Sequence, residues 1–317
     1  MISRLLGRLR NRRSPPVAAM PVANLDTSDA APKPAKWATP ASQRAAKPVE
    51  PHFSIEDYLL LLEALRSRGV RFETLHAPDQ ATARTERLHF IKHDMHHDLE
   101  NTLLMAKAEH EIGVHSTFFM MHENPINRKY FHAPSTWDGL RRIQDMGHLI
   151  GLHVDGFLLI EQYGDLARGI DAARKTFAEQ GISFKIGNTH GNSSYQKKYD
   201  FEPMNFYKEV RRPSNSTEKR FMDHYGRYSF HDLGFDVWAD TAIWTPAGGE
   251  WLLDYFVSDN ASNLAAGESA ESSWFIDGAK WDLSEEVRRQ LADYVSRGCC
   301  IYLIHPQFFR PRSAVAG

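Results

Sequence analysis

The 317-residue chain predicts an α/β fold on a largely parallel sheet, for three reasons. Short apolar runs rich in β-branched and aromatic residues recur along it. Helical stretches of roughly 10–20 residues separate them, and glycines close most of those stretches. Strands spaced in this way need crossover connections, which are right-handed and bring successive strands parallel.

The elements follow in order from residue 53. Ser54 reads as the N-cap of a helix with Glu56 and Asp57 in its first turn, continuing through 59–65 and stopped by Gly69. Residues 88–91 read as a short strand. Residues 99–111 read as a helix with Leu99, Leu103, Ala106 and His110 on one face, ended by Gly113. A strand is expected over 114–121, a helix over 137–146 ending at Gly147, and a strand over 149–152. One long helix is expected over 159–179, stopped by Gly181, followed by a strand over 184–186. The polar segment 196–220 carries no clear period. A helix over 283–295, stopped by Gly298, precedes a final buried strand over 299–304. No internal repeat is present.

Residues 1–52 read differently. Eight of the 16 prolines lie between Pro15 and Pro51, in a stretch rich in Ala, Ser and Thr without hydrophobic periodicity. It reads as a disordered tail. Before it, arginines at 4, 8, 10, 12 and 13 accompany Ile2, Leu5, Leu6 and Leu9, which share a helix face. A solvated basic tail is the plainest reading of residues 1–13. Membrane-surface contact or an organelle presequence are the alternatives. The folded domain is expected over 53–312, with a short tail over 313–317.

Lys plus Arg is 38 and Asp plus Glu is 40. That balance argues against a nucleic-acid protein held by phosphate contacts. No apolar run reaches the roughly 18 residues a membrane helix needs, and no secretory signal is evident, so a cytoplasmic protein is expected. Cys299 and Cys300 are adjacent. Neighbours in a strand face opposite ways, so they read as reduced packing residues.

The 16 histidines are the unusual count, and eight fall between His89 and His132. In parallel α/β folds the active site lies beyond the carboxyl ends of the strands. Four expected strands run into chemistry there. The first leads into Lys92-His93-Asp94-Met95-His96-His97-Asp98. The others lead into His153-Val154-Asp155, Thr189-His190-Gly191-Asn192 and His305-Pro306-Gln307. If the strands share one sheet, these groups meet in one cleft. Imidazole and carboxylate together suit a divalent-metal hydrolase. Blander readings compete at each position: Asp94 as a turn or cap residue, His153 and His305 as buried hydrogen-bonded histidines, His190-Gly191-Asn192 as a turn. His148 reads as structural, and His52, His76, His110 and His132 as surface or packing residues. The aromatic segment 225–244 reads as packing, with a sugar-binding groove as its alternative.

The set Lys92-His93-Asp94-Met95-His96, Gly147-His148-Leu149-Ile150-Gly151-Leu152-His153, His190-Gly191-Asn192 and Leu303-Ile304-His305-Pro306-Gln307 resembles the motifs of polysaccharide deacetylases. These form the NodB-homology superfamily, also called carbohydrate esterase family 4. The nearest resemblance is to a divergent branch whose first motif reads His-Asp-Val-Asp, and Val257-Ser258-Asp259-Asn260 is similar to a segment of it. The resemblance spans about residues 53–309. It implies a distorted (β/α)7 barrel and metal-dependent removal of an acyl group, usually N-acetyl, from a sugar. It implies Asp94 as base and His305 as general acid. The second aspartate of the usual first motif falls on His96, still a plausible ligand. Of the usual two histidines four apart, His153 is present but Phe157 occupies the second position. Asp94, His96 and His153 then hold the ion, or, with Asp94 reserved as the base, His190 or Asp155 joins His96 and His153 as the third ligand; a site around His97 and Asp98 is the fallback. Zn²⁺ is the first candidate ion and an acylated sugar or glycan precursor the expected substrate. The rival reading is a non-catalytic carbohydrate-binding or scaffold protein with a degenerate metal site.

Overall fold

The computed structural model describes residues 53–76, 80–96, 98–125, 127–210, 212–240, 242–245, 249–259 and 285–311. The tail read over residues 1–52, the end after 311, His52 and His97 lie outside the described residues.

Ser54 ends the short strand β1 (Phe53–Ser54) and caps α1 (Ile55–Arg66), its hydroxyl accepting from the Asp57 amide at 3.0 Å. β2 (Arg71–Glu73) and α2 (Gln80–Thr85) lead to β3 (Leu88–Met95), buried at every residue. β3 runs four residues past its expected end. Lys92, His93 and Asp94 are polar but all find buried partners, so polarity does not stop the strand. Asp98 caps α3 (Leu99–Glu111), and β4 (Thr117–Met121) is shorter than expected. α4 (Arg128–Phe131) precedes α5 (Pro134–Asp145), which starts on a proline preset for a first helical position. β5 (Leu149–Val154) follows.

The helix expected as one piece over 159–179 is two, α6 (Gly156–Tyr163) and α7 (Leu166–Glu179). Gly164 takes a left-handed φ of 71° at the end of α6, and Asp165 caps α7 by accepting from the Arg168 amide at 3.1 Å. A Gly-Asp pair is a stop followed by a start, and it overrides the continuous apolar period. β6 (Ile186–Thr189) starts later than expected. The polar segment holds most of α8 (Ser193–Tyr199) and the start of α9 (Lys219–Met222). Four strands not expected from the sequence follow: β7 (Val237–Ala239), β8 (Ala242–Thr245), β9 (Gly249–Leu252) and β10 (Tyr255–Ser258). α10 (Glu285–Val295), β11 (Cys300–Ile304) and β12 (Phe309–Arg310) complete the chain.

The main sheet has the order β10-β11-β3-β4-β5-β6-β7-β8-β9, with β2 beside the start of β3. Pairing is parallel from β10 through β7 and antiparallel from β7 to β9. The seven parallel strands of this run give the expected (β/α)7 arrangement. Among the described residues β10 and β9 do not pair.

The sheet is curled. Lys92 on β3 donates to the Ala239 carbonyl on β7 at 3.2 Å, although three strands lie between them. In a flat sheet four strand steps would separate them by roughly 19 Å. Inside the curl, Leu88, Phe90, Phe119, Ile186, Val237, Ile243 and Ile301 form one apolar cluster. Helices cover the outer face through two larger clusters.

The buried face of α3 is Asn101, Thr102, Met105, Ala106 and Glu109, not the expected stripe, and His110 is exposed. The face is turned by Glu109. Its carboxylate accepts from Tyr58, from His93 Nε2 at 2.8 Å and from Ser116 at 2.5 Å, which makes a buried acid tolerable. Burial raises its pKa, but His93, His148 and Ser116 outweigh that and hold it below the usual carboxylate value. His148 is structural as expected, accepting from the Ser116 amide and donating to the Ala106 carbonyl. Cys299 and Cys300 are both free and buried. Among the described residues no helix is long and apolar enough to cross a membrane.

His89 gives a stability prediction. It is fully buried between the Gly298 carbonyl at 3.0 Å and the Tyr302 hydroxyl at 2.9 Å. A carbonyl only accepts, so Nε2 carries the proton and Nδ1 accepts from Tyr302. Burial, partly offset by the Gly298 and Val295 carbonyls, lowers its pKa from 6.5 to about 4. The unfolded chain therefore takes up this proton first as pH falls. The stabilisation is complete above the unfolded value of 6.5 and is lost as pH drops towards about 4. Across that window it should amount to something on the order of 3 kcal/mol. A His89→Gln variant should show a flatter dependence of its denaturation midpoint on pH between those limits. An unchanged slope would rule His89 out as the cause.

Candidate active site

Period-two alternation sorts the residues of β3. Leu88, Phe90, Lys92 and Asp94 face the inside of the curl, while His89, Ile91, His93 and Met95 face the helices. The inner row is apolar at the bottom and polar at the carboxyl end. Just beyond the strand His96 stays in phase with Asp94. On β5 the same row carries Gly151 and then His153. A Cβ on Gly151 would lie 2.6 Å from the Phe119 ring, so only glycine lets the apolar floor close there. On β6 the row carries Asn188 and, one step past the strand, His190. His305 follows β11 directly.

These ends converge. The His96 ring centre lies 5.4 Å from that of His153, 5.2 Å from His190 and 5.5 Å from His305. The His153 and His190 rings are 5.0 Å apart. One nitrogen each of His96, His153 and His190 lies within 4.8 Å of the others, the only such group of possible metal ligands among the described residues. Asp94 stands beside this triad rather than in it, its Oδ2 3.7 Å from His153 Nε2.

Three of the four histidines are oriented through Nδ1. His153 Nδ1 donates to Asn188 Oδ1 at 2.7 Å. His190 Nδ1 donates to Asp155 Oδ2 at 3.0 Å. His305 Nδ1 donates to Asp259 Oδ1 at 2.6 Å, and the His305 amide donates to Asp259 Oδ2 at 2.5 Å. The protonation pattern follows from the acceptors, since carboxylates and the amide oxygen only accept. Each ring is left with Nε2 free for the cleft, as in histidines that bind metal. His96 Nε2 is buried and has no hydrogen-bond partner.

The electrostatics agree with neutral donors. Burial, then repulsion from His190, His153 and His305, pushes His96 well below its usual pKa. Burial and His190 do the same to His153. An unpartnered buried nitrogen on His96 beside the imidazoles of His153 and His190 is a donor set that suits a first-row divalent cation. His305 moves the other way: burial lowers its pKa, but Asp259 and Asp94 together outweigh burial and raise it. The cleft thus sets two histidines with lowered pKa, His96 and His153, beside one whose pKa is raised, His305.

The remaining candidate positions have other work. Asp155 caps α6 by accepting from the Leu158 amide, and its other oxygen takes His190 and Asn192. Asp98 caps α3 and pairs with Arg310 at 3.2 Å. Phe157 is fully buried, its ring centre 5.0–5.9 Å from those of Tyr195, Phe201, Phe206 and Phe221. Tyr228, Phe230, Phe235, Trp238 and Trp244 are buried packing residues.

Sequence reasoning missed Asn188, the bridge from Asp94 to His153, and the Lys92–Asp240 pair beneath the cleft, 3.8 Å apart. It noted Asp259 without a role. The available signal was the period of two: Asn188 precedes His190 by two, and Lys92 precedes Asp94 by two.

The packing of Phe157 makes a prediction about the missing second histidine. Phe157→His should not add a ligand. It should leave metal content unchanged and lower stability by about 3 kcal/mol, the scale of losing a buried ring and burying an unpaired polar group. Measured metal stoichiometry and a denaturation midpoint test this together; a gain in metal affinity would refute it.

No protein-family model matches the sequence, and no curated protein matches it. Among solved structures the fold is similar to a Streptococcus mutans CE4 esterase, at 11% identity over 83% of this chain and 82% of that one, with a TM-score of 0.37. It is similar to the catalytic domain of a peptidoglycan N-acetylglucosamine deacetylase from Eubacterium rectale, at 12% identity over 73% and 81%, TM-score 0.36. A CE4 family pseudoenzyme from Bacillus anthracis aligns at 11% identity over 73% of this chain and 57% of its own, TM-score 0.33. Likeness this loose assigns no activity to the present chain.

Proposed function

We propose that the protein is a metal-dependent hydrolase that removes an acyl group, N-acetyl in the first instance, from an amino sugar of a glycan or glycan precursor. The observation carrying this reading is the convergence of His96, His153 and His190, an adjacent carboxylate on Asp94 and the His305–Asp259 pair on one sheet edge. The order of motifs along the chain agrees with it.

On this reading His96, His153 and His190 hold the ion. Three nitrogen donors suit Zn²⁺ or a neighbouring first-row ion better than Mg²⁺ or Ca²⁺, which favour oxygen. Such an ion supplies Lewis-acid polarisation of the scissile carbonyl and acidifies water. The chain's own groups move the protons. Asp94 takes one from the attacking water as its oxygen bonds to the carbonyl carbon. Asn188 occupies Asp94 Oδ1 at 2.6 Å, which leaves Oδ2 for that task. His305 then protonates the departing nitrogen as the C–N bond breaks, giving a free carboxylic acid and an amine. Asp259 holds the ring and favours its charged form.

The test is acetate release from N-acetylated oligosaccharides by metal-loaded protein. Chelation should abolish it and Zn²⁺ or Co²⁺ should restore it. His153→Ala should lose both metal and turnover. His305→Gln should keep the metal but lose about 10²–10⁴-fold in kcat, the range of a general acid. Protein that binds glycan yet takes up no metal would instead identify a non-catalytic carbohydrate binder.

A further inference from the structure

We infer that Asn188 is a positioning residue that ties the place of the base to the metal-binding form of His153. Asn188 is fully buried on β6, directly opposite His153 in the β5–β6 ladder. Its Nδ2 donates to Asp94 Oδ1 at 2.6 Å and its Oδ1 accepts from His153 Nδ1 at 2.7 Å. Both bonds are buried.

The chemistry of the three groups allows one arrangement. Asp94 as a carboxylate only accepts, so the amide must turn its nitrogen towards it. The amide oxygen then faces His153, and an oxygen only accepts, so His153 must carry its proton on Nδ1. That leaves the lone pair on Nε2, facing His96 and His190. Asp94 fixes the amide, and the amide fixes the tautomer of the imidazole. In reverse, the amide keeps one Asp94 oxygen occupied and holds the other 3.7 Å from His153 Nε2. Ordinary structural asparagines satisfy backbone groups at turns and caps. This one sits mid-sheet and spends both ends of its amide on two side chains of the cleft.

The inference rests on the hydrolase reading for its turnover arm only; the tautomer and metal arms stand without it. Two variants separate the halves of the bridge. Asn188→Asp keeps an acceptor for His153 Nδ1 but removes the donor to Asp94 and sets a like charge against it. Asn188→Leu, close in size, removes both bonds. Zn²⁺ affinity, measured by competition with a chromophoric chelator, should stay within a few-fold of wild type in Asn188→Asp. It should fall about 10–100-fold in Asn188→Leu, the usual cost of losing a group that orients a ligand. For acetate release, Asn188→Asp should lose at least tenfold in kcat with KM little changed. Equal loss of zinc in both variants would overturn the inference, as would full zinc affinity in Asn188→Leu. If neither variant folds, ¹⁵N spectra of metal-free wild-type protein decide. The proton of His153 on Nδ1 is expected, and a proton on Nε2 would overturn it. Absence of acetate release in wild type, with the zinc and tautomer results as expected, would count against the proposed reaction and leave the bridge standing.

Discussion

The parallel register of the strands is the constraint on which the site depends. Ile304 pairs with His93, His153 with Met121 and with Asn188, and Val154 with Thr189. Because all these strands run the same way, each delivers its last residues to one edge. An antiparallel neighbour would have sent His153 or His305 to the opposite end. Parallel pairing alone leaves the groups in a row. Asp94 and Asn188 lie on strands separated by β4 and β5, yet their side chains hydrogen-bond. The curl closes that row into a cluster, and the apolar floor of Phe90, Phe119, Ile186 and Ile301 holds the curl. Gly151 belongs to this argument as much as any histidine, since its missing side chain is the space Phe119 fills.

A second buried node fixes β3 from the other face. Glu109 joins Tyr58 of α1, His93 of β3 and Ser116 just before β4. A buried carboxylate with three partners is costly to disturb, because removing any one leaves charge uncompensated in a low dielectric. His93 and Asp94 are adjacent and face opposite ways, so the node holding His93 also sets the backbone that aims Asp94. The stability of the outer layer and the geometry of the cleft therefore share one strand.

Much of this was legible in the sequence, and the failures have physical causes. The α/β class, the start of α1 at Ser54 and the ends of α3 followed from local signals that tertiary contacts do not override. Strand ends were harder. β3, β5 and β6 run on through polar residues because those residues bond to one another inside the curl, which no local pattern reveals. The face of α3 was misread because Glu109 counts as polar in any periodicity, although three partners bury it. The break at Gly164-Asp165 was readable and was outweighed by the apolar run across it. Within the site, chemistry at strand ends pointed to His153, His190 and His305. For Asn188 the period of two placed it on the same row as His190, but its role shows only once its two partners, Asp94 and His153, are known.

The histidine cluster also bears on why Phe157 can stand where a second ligand would be expected. In a site fed by separate strands, the third donor need not come from one turn of one helix. His190 enters from β6, with Asp155 at the start of α6 orienting it, so the segment that would have carried the missing histidine is kept as an anchor. Phe157 is then free to bind α6 to the aromatic layer beneath α8 and α9. The arrangement is expensive without a cation. Burial and the neighbouring histidines disfavour the charged forms of His96 and His153, and His96 Nε2 is left with no partner. A buried nitrogen without a partner costs roughly 1–3 kcal/mol. On the proposed reading that cost is reversed when a cation binds, because the same unpaired electrons become the ligand. Filling the cleft with apolar side chains would have made a more stable protein, so the cluster is best understood as stability given up for a site.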